Sequence, residues 1–442
     1  MNQPYRKRTI FSWSMYDFAN QPFTTLVVTF IYGTFFTQVI AENEIVGTML
    51  WSRGITITAI LVAILSPIMG AVADRGGYRK LYLIFWTMIC ILGSFLLYFP
   101  QPGQVVFALI AFIIGNVGFE MGGVFCNAFL PDIAPKEKIG RVSGYGWSFG
   151  YVGGLIALIL GLVLFINPEV PLFNLSKETY EHIRATNIMV AIWFAVFCIP
   201  TFIFVRQGRV NISEKGMVVK DSIAQLRNTF KNIRQYKELT RFLIARLFYN
   251  DGLITVFAFG GIYAAGTFGF TMQEIFLFAI ILNITAGIGA FLMGFLDDII
   301  GGKRTIQISN IGLIVAALIA VFSPNRDLFE LSIPFIGEFI ITGKSFFWLA
   351  GILIGIFSGP NQSASRSLMA RFIPKHKENE FFGFFAFSGK ATAFAGPFLL
   401  GYLTLAFGSQ RYGIAVVLVF LVIGSLLLRS VDEKAGMEAA ET

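Results

Sequence analysis

Histidine is nearly missing from this sequence. The 442 residues hold only His182 and His376, and the topology derived below puts them on opposite sides of a membrane. That excludes a histidine-based metal cluster and most nucleophile–base triads. Cysteine is also scarce. Cys90, Cys126 and Cys198 all fall inside apolar runs, where they suit small packing residues better than disulfides or metal ligands. Charged residues make up 14% of the chain, far short of the polar surface a soluble protein of this length needs. One apparent nucleotide motif fails on spacing. Gly337 to Ser345 ends in Gly-Lys-Ser but has five residues between its glycines, where a phosphate loop needs four. No catalytic residue, cofactor or metal ligand is therefore assigned, and the chain does not read as an enzyme.

What is present is apolar length. Hydrophobic residues are 55% of the chain, gathered into runs near the roughly 20 residues that carry a helix across a bilayer. Twelve runs are counted, at 17–40, 51–73, 81–99, 105–128, 142–166, 186–205, 242–265, 273–296, 305–322, 346–368, 382–406 and 412–429. They are continuous rather than alternating, which favours helices over a barrel. The first run is read as a retained span and not a cleaved signal, because it carries Asp17, Asn20 and Pro22 and lacks a small-residue cleavage site.

Charge placement orients the spans. With both termini in the cytoplasm, six of the 34 Lys and Arg lie in outer loops (Arg53, Lys177, Arg184, Arg326, Lys344 and Arg411). Arg246, Arg366 and Lys390 lie within spans, and the other 25 are cytoplasmic. This is the positive-inside pattern. It accounts for the net charge of +8 without a nucleic-acid partner and implies a multi-pass protein of the cell (inner) membrane. Lipids and a small-molecule substrate are the partners expected, and a monomer.

The chain repeats itself. Gly70, Asp74, Gly77, Arg79 and Lys80 after span 2 match Gly294, Asp298, Gly301, Lys303 and Arg304 after span 8, all 224 positions on. Pro135, Lys136, Lys138, Gly144 and Gly150 match Pro374, Lys375, Lys377, Gly383 and Gly389, all 239 positions on. Asp17 in span 1 has a fainter counterpart in Asp251 of span 7. The organisation that follows is a six-helix half at 1–205, a basic cytoplasmic linker at 206–241 with nine Lys and Arg, and a second six-helix half at 242–442. Parallel repeats of six spans are the architecture of major facilitator transporters, which handle substrate between the halves. The stretch Gly70-x-x-x-Asp74-Arg75-x-Gly77, followed by Arg79-Lys80, resembles that superfamily's signature. The expected fold is all-α, with twelve transmembrane helices in two pseudo-symmetric bundles of six.

Two longer stretches resemble one branch of it. Ser12-Trp13-Ser-Met-Tyr16-Asp17-Phe18-Ala19-Asn20-Gln-Pro22-Phe23 is similar to the opening of the vacuole-effluxer-like branch. So are Tyr249-Asn250-Asp251-Gly252 in span 7 and the run from Ser365-Arg366-Ser367 through Ile373-Pro374-Lys375, Glu380-Phe381-Phe382-Gly383-Phe384 and Gly389-Lys390-Ala391 to Gly396-Pro397. The resemblance implies a transporter and leans toward amino acids. The stretch Ser358 to Arg366 is more polar than the branch's usual span 10, which puts the substrate in doubt. The loop signature implies a latch between halves on the cytoplasmic side, with Asp74 facing the N-terminal end of span 11, where a helix dipole favours an anion. Arg75 or Arg79 could then pair with Asp132 just after span 4.

Charges and amides inside the spans mark the candidate pathway. An ionised carboxylate at mid-bilayer costs roughly 2.5–3.5 kcal/mol on insertion scales, so Glu120 in span 4 needs a reason. It shares a helix face with Asn116, Gly123 and Asn127, and it is either a proton carrier or substrate anchor or half of a structural pair. Arg246, Asn250 and Asp251 lie in span 7, with Arg246 and Asn250 four apart on one face. Asp17 and Asn20 lie in span 1, where Asp17 could also be an ordinary first-turn acid. Lys390, between Phe387 and Phe394 in span 11, needs a carboxylate partner or a water-filled cavity. Asn361, Gln362 and Arg366 follow Gly359-Pro360, a pair expected to break span 10. Arg366 could equally form a gating salt bridge with Glu380. Acids and bases in one cavity suit a zwitterionic or polar metabolite, with protons as a coupling ion. Competing readings are another small solute such as a sugar, nucleoside or drug, a lipid-moving protein, and a membrane-embedded enzyme.

Overall fold

In the computed structural model the described residues are 6–207, 218–231, 233–324, 329–333 and 337–441. Residues 208–217 of the linker lie outside them. Among them twelve helices are long and apolar enough to cross a membrane. Spans 1 to 6 are Lys7–Ile40, Glu44–Gly76, Arg79–Leu96, Val105–Ile133, Lys136–Ile166 and Glu181–Phe204. Spans 7 to 12 are Arg234–Phe268, Gln273–Ile300, Gly302–Phe322, Gly343–Phe372, Glu378–Phe407 and Gln410–Arg429. The spanning part of the described chain is all-helical.

Most spans run past their apolar stretch, because backbone hydrogen bonding continues where side chains turn polar. Span 1 starts at Lys7, which corrects the reading of Asp17 as a first-turn acid: it sits deep in the helix. After Pro22, which brings no N–H, the same span widens into a π-helical stretch, Phe23–Phe30. Span 10 also departs from expectation. It is one unbroken helix, Gly343–Phe372, with Pro360 inside it. Pro360 cannot bond the Ile356 carbonyl four residues back. That carbonyl faces Gly289 of span 8, where a Cβ would lie 2.2 Å from it. The Gly-Pro pair is spent on close packing of spans 8 and 10. The true interruption is in span 11, between Glu378–Lys390 and Ala395–Phe407.

The loop before span 10 carries an antiparallel pair, Phe329–Ile333 with Gly337–Ile341. The phosphate-loop look-alike is the start of span 10: Thr342 caps it, and Lys344 pairs with Glu274 at 3.1 Å.

Spans 1 and 5, 2 and 4, 3 and 4, and 3 and 6 pack together. So do spans 7 and 12, 8 and 10, 9 and 10, and 9 and 12. Span 2 meets the first part of span 11, and span 5 meets span 8. Both of these crossings use the glycines that repeat in sequence. A Cβ on Gly383 would lie 2.4 Å from the Ser66 carbonyl, and one on Gly144 would lie 2.6 Å from the Ala290 carbonyl. Ser66 and Ala290 are themselves 224 apart. All four elements touch at the end where the repeated loops lie. At the other end, Ala395–Phe407 packs on spans 7 and 12 and leaves Phe394, Phe398, Tyr402, Leu405 and Phe407 exposed. The bundle is closed at the loop end, while Ala395–Phe407 packs chiefly within its own group of spans.

Candidate functional site

At the closed end the repeated acids cap helices of the opposite group. The Asp74 carboxylate accepts from the Asn379 backbone N–H at 3.1 Å, the Asn379 Nδ2 at 2.6 Å and the Glu380 N–H at 2.8 Å. These N–H groups open the first helical segment of span 11, where they have no partner within the helix and the dipole favours negative charge. Asp298 does the same for span 5. It accepts from the N–H of Gly140 at 2.8 Å and of Arg141 at 3.4 Å, and pairs with the Arg141 side chain. Residues 140 and 141 are 239 before 379 and 380, so both copies of the loop hold equivalent backbone. Gly77 and Gly301 turn the chain here with φ of 66° and 91°, a region glycine enters without strain.

The remaining loop residues divide. Arg79, not Arg75, pairs with Asp132 at 2.5 Å, and it also reaches Glu378 at 2.8 Å. Arg75 instead donates to Gln225 at 2.5 Å, and Gln225 donates to Glu380. Gln225 belongs to the linker helix Val218–Lys231, so the linker bridges spans 2 and 11. Gly70 lies under span 11, where a Cβ would be 2.3 Å from the Asn379 carbonyl. The Lys80 N–H donates to Gln207 at 3.0 Å. Asp297, Arg371 and Glu378 were not singled out by sequence reasoning. Arg371 pairs with Asp297 at 2.6 Å, and the doubled acid 297–298 was the available signal.

Deeper in the bundle, two ion pairs join spans 1–6 to spans 7–12. Arg366 of span 10, 3% exposed, donates to Asp17 at 2.8 Å and Asn127 at 3.0 Å. It also donates to the Ser143 hydroxyl at 3.0 Å and the Ser143 carbonyl at 2.7 Å. Its guanidinium lies 4.7 Å from the Trp13 ring, a contact that suits a flat cation. The absent Cβ of Gly146 makes room: one there would lie 2.5 Å from both Arg366 and Asp17. The anticipated pairing of Arg366 with Glu380 does not occur, since Glu380 is engaged at the latch.

The second pair is Glu120 of span 4 with Lys390 of span 11, at 2.6 Å. Unlike Arg366 it is partly open, with side-chain exposures of 21% and 26%. One turn on, Gly123 faces open space, with nothing within 4 Å of a built Cβ. The pair thus joins spans 4 and 11 beside open space at Gly123.

The other candidates are more dispersed. Arg246 donates to the Phe385 carbonyl at 2.7 Å and to Ser388 at 2.8 Å, and Asn250 donates to the Gly389 carbonyl at 3.2 Å. Both therefore tie span 7 to span 11. Gln362 donates to Tyr151 at 3.1 Å across the groups. Asn361 turns the other way and donates to Asn310 of span 9 at 2.7 Å, away from both ion pairs. Asn20 and Asn116 are buried and take no part in these hydrogen bonds. Asp251 is buried and joins neither pair.

Comparison with known proteins gives a consistent picture. The family described as vacuole effluxer Atg22 like matches residues 48–441. An uncharacterized MFS-type transporter, YxiO of Bacillus subtilis, is 25% identical over 97% of this chain and 96% of its own. Autophagy-related protein 22 of Cryptococcus neoformans is 27% identical over 68% of this chain and 54% of its own length. Among solved structures, the proton:xylose symporter XylE superposes with a TM-score of 0.73 at 12% identity, covering 99% of this chain and 98% of its own. The transporter FucP in its outward conformation gives 0.70 at 14% identity, covering 96% and 98%. These two likenesses establish the fold.

Proposed function

The chain belongs to the vacuole effluxer Atg22-like family of major facilitator transporters, and on that premise we propose that it moves a small polar or zwitterionic metabolite, in the first instance an amino acid, by alternating access. The observation that carries this reading is the partly open Glu120–Lys390 pair beside the gap at Gly123. A zwitterion can enter such a pair without leaving a charge uncompensated: its ammonium replaces Lys390 at Glu120, and its carboxylate replaces Glu120 at Lys390. Separating the two side chains with nothing between them would cost several kcal/mol in a low-dielectric interior. Substrate therefore lowers the barrier to parting spans 4 and 11, which lie in different halves. The rocking bodies are residues 1–205 and 242–442, with 206–241 as the linker between them. Asp17–Arg366 holds the base of the cleft, and the Asp74 and Asp298 caps hold the cytoplasmic end closed in an outward-open state.

Protons are the proposed coupling ion, and Glu120 is the group that exchanges them once substrate or conformational change displaces Lys390. Glu120→Gln copies the protonated shape without the charge. In proteoliposomes with an imposed pH gradient, Glu120→Gln should lose accumulation, and energy-independent exchange should persist only at raised substrate concentration, because the ammonium loses its counter-ion. Lys390→Ala should impair the same step, and the double variant should be less than additive. Accumulation at the wild-type level by Glu120→Gln would make the pair structural. A panel of labelled amino acids, sugars and nucleosides in the same vesicles identifies the substrate class; uptake confined to an uncharged sugar would overturn the zwitterion reading.

Location in the cell membrane with both termini cytoplasmic rests on the charge asymmetry. A cysteine at Glu169 should react with an impermeant reagent in intact cells, and one at Lys231 should not. The reverse pattern would invert the topology.

A further inference from the structure

Span 11 comes apart as a helix between Lys390 and Ala395. Within the turn the helical pattern gives way to shorter bonds: the Ala393 N–H donates to the Lys390 carbonyl, and the Ala395 N–H to the Thr392 carbonyl. Pro397 has no N–H to offer the Ala393 carbonyl four residues back. Directly beside this turn lies Asp251 of span 7. A Cβ on Gly396 would sit 2.0 Å from the Thr255 hydroxyl and 3.3 Å from the Asp251 carbonyl, so the two backbones are in contact here.

Asp251 is 1% exposed, and neither carboxylate oxygen has a hydrogen-bond partner among the described residues. Thr392 on the turn faces it, close enough for its buried hydroxyl to engage the carboxylate. The nearest cation, Arg246, is committed elsewhere, to the Phe385 carbonyl, Ser388 and the Phe385 ring. A buried carboxylate with one hydroxyl beside it and no ion pair costs several kcal/mol. A proton would cancel the charge but engage only one of the oxygens around it. A cation cancels the charge and gathers several of those oxygens at once.

We infer that Asp251, Thr392 and the carbonyl oxygens of the turn at 391–394 form a binding site for a hard monovalent cation of the sodium class. Unwound helix carbonyls beside an acid are how membrane proteins of this kind hold alkali ions. A single carboxylate matches a single charge, whereas a calcium-like ion draws on several acids, and no cluster of three or more His, Cys, Asp or Glu occurs among the described residues. The site is distinct from the Glu120–Lys390 pair in its acid, but it shares the segment that carries Lys390. Occupancy would therefore fix the shape of span 11 one turn from the proposed substrate contact. The assignment does not rest on any substrate or on proton coupling, since its readout is ion binding.

The test uses purified full-length protein in lipid nanodiscs at constant pH and ionic strength. Thermal unfolding is followed by tryptophan fluorescence in sodium, lithium, potassium or choline chloride. Sodium should raise the midpoint saturably where choline does not, because a ligand that binds only the folded state stabilises it. Asp251→Asn should abolish the sodium response. Thr392→Val keeps the charge and the fold, and should weaken apparent sodium affinity by roughly tenfold, the scale on which loss of a supporting group weakens metal sites. The proposal falls if no alkali ion acts differently from choline, if the response survives in Asp251→Asn, or if protection follows pH alone. Should Asp251→Asn fail to fold, a Thr392→Val response identical to wild type overturns the site on its own.

Discussion

The two loop-end caps descend from one loop, yet they are wired differently. Asp74 and Asp298 hold equivalent backbone N–H groups, and the glycines beneath them allow equivalent crossings. The ion pairs around them have been exchanged. In the first copy the base at position 79 pairs with the acid at 132. In the second, those positions are Lys303 and Arg371, two cations, which cannot pair. Arg371 instead finds Asp297, whose counterpart in the first copy is Ala73. Lys303 turns to the carbonyls of Arg429 and Val431 at the end of span 12. The comparison teaches that backbone capping and glycine contact are the shared device. The side-chain charges need only balance locally, and each copy has found its own balance.

The bracing differs as well. The first cap is clamped by the linker helix through Gln225. The second is supported by the C-terminal helix Glu433–Glu441, whose Glu433 accepts from the N–H groups of Gly302 and Lys303 at 2.9 and 3.0 Å. In each half, the segment after the sixth span folds back on the loop end.

The largest break in this comparison should come from Arg371→Ala. It strands Asp297, which is 1% exposed, and uncompensated buried charge typically costs about 3–5 kcal/mol. Arg79→Ala should cost less, about 1–3 kcal/mol, because Asp132 is 45% exposed on its side chain and can turn to water, while Glu378 keeps the His376 N–H at 3.1 Å. Thermal unfolding of the two purified variants checks the order; equal losses would mean that the copies are energetically alike. Next is the cap itself. Asp74→Asn exchanges a charged acceptor for a neutral one against three donors and should shift the equilibrium toward opening of the loop end by about 1.5–3 kcal/mol. Asp298→Asn should shift it less, since removing that charge also relieves its neighbour Asp297. Distances between spin labels at the loop end of spans 2 and 11, and of spans 5 and 8, report each shift separately. The smallest effects belong to the braces. Gln225→Ala should loosen only the span 2–span 11 side, by about 1 kcal/mol. Lys136→Ala, which removes an exposed pair with Glu441, should leave both distances unchanged.

Sequence reading reached the architecture because bilayer thickness and duplication both leave marks along the chain. Twelve apolar runs and two fixed offsets were enough to name the fold. Helix ends were less legible, because a helix such as Lys7–Ile40 continues through polar residues once its core is anchored. Within the site, the need for a partner could be read from Glu120 and Lys390 separately, since each is costly alone. Their mutual contact could not, because 270 residues separate them. The Arg366 partner was misjudged for the same reason. Asp17 looked peripheral until the start of span 1 was located. Pro360 and Pro397 show the limit of local rules: one is absorbed by a neighbouring glycine, the other follows a real interruption, and only the packing distinguishes them.

The glycine crossings at Gly144 and Gly383 carry a mechanical consequence. Side chains that interlock like gear teeth must be withdrawn before two helices can change their angle. At Gly144 bare backbone rests on backbone, and at Gly383 the Ser66 hydroxyl, donating to the Gly383 carbonyl at 3.0 Å, is the one side-chain bond across the point of touch, so there is little to disengage. Such a contact behaves as a fulcrum. The helices can tilt about it while the point of touch stays still, and levering at one end is returned as movement at the other.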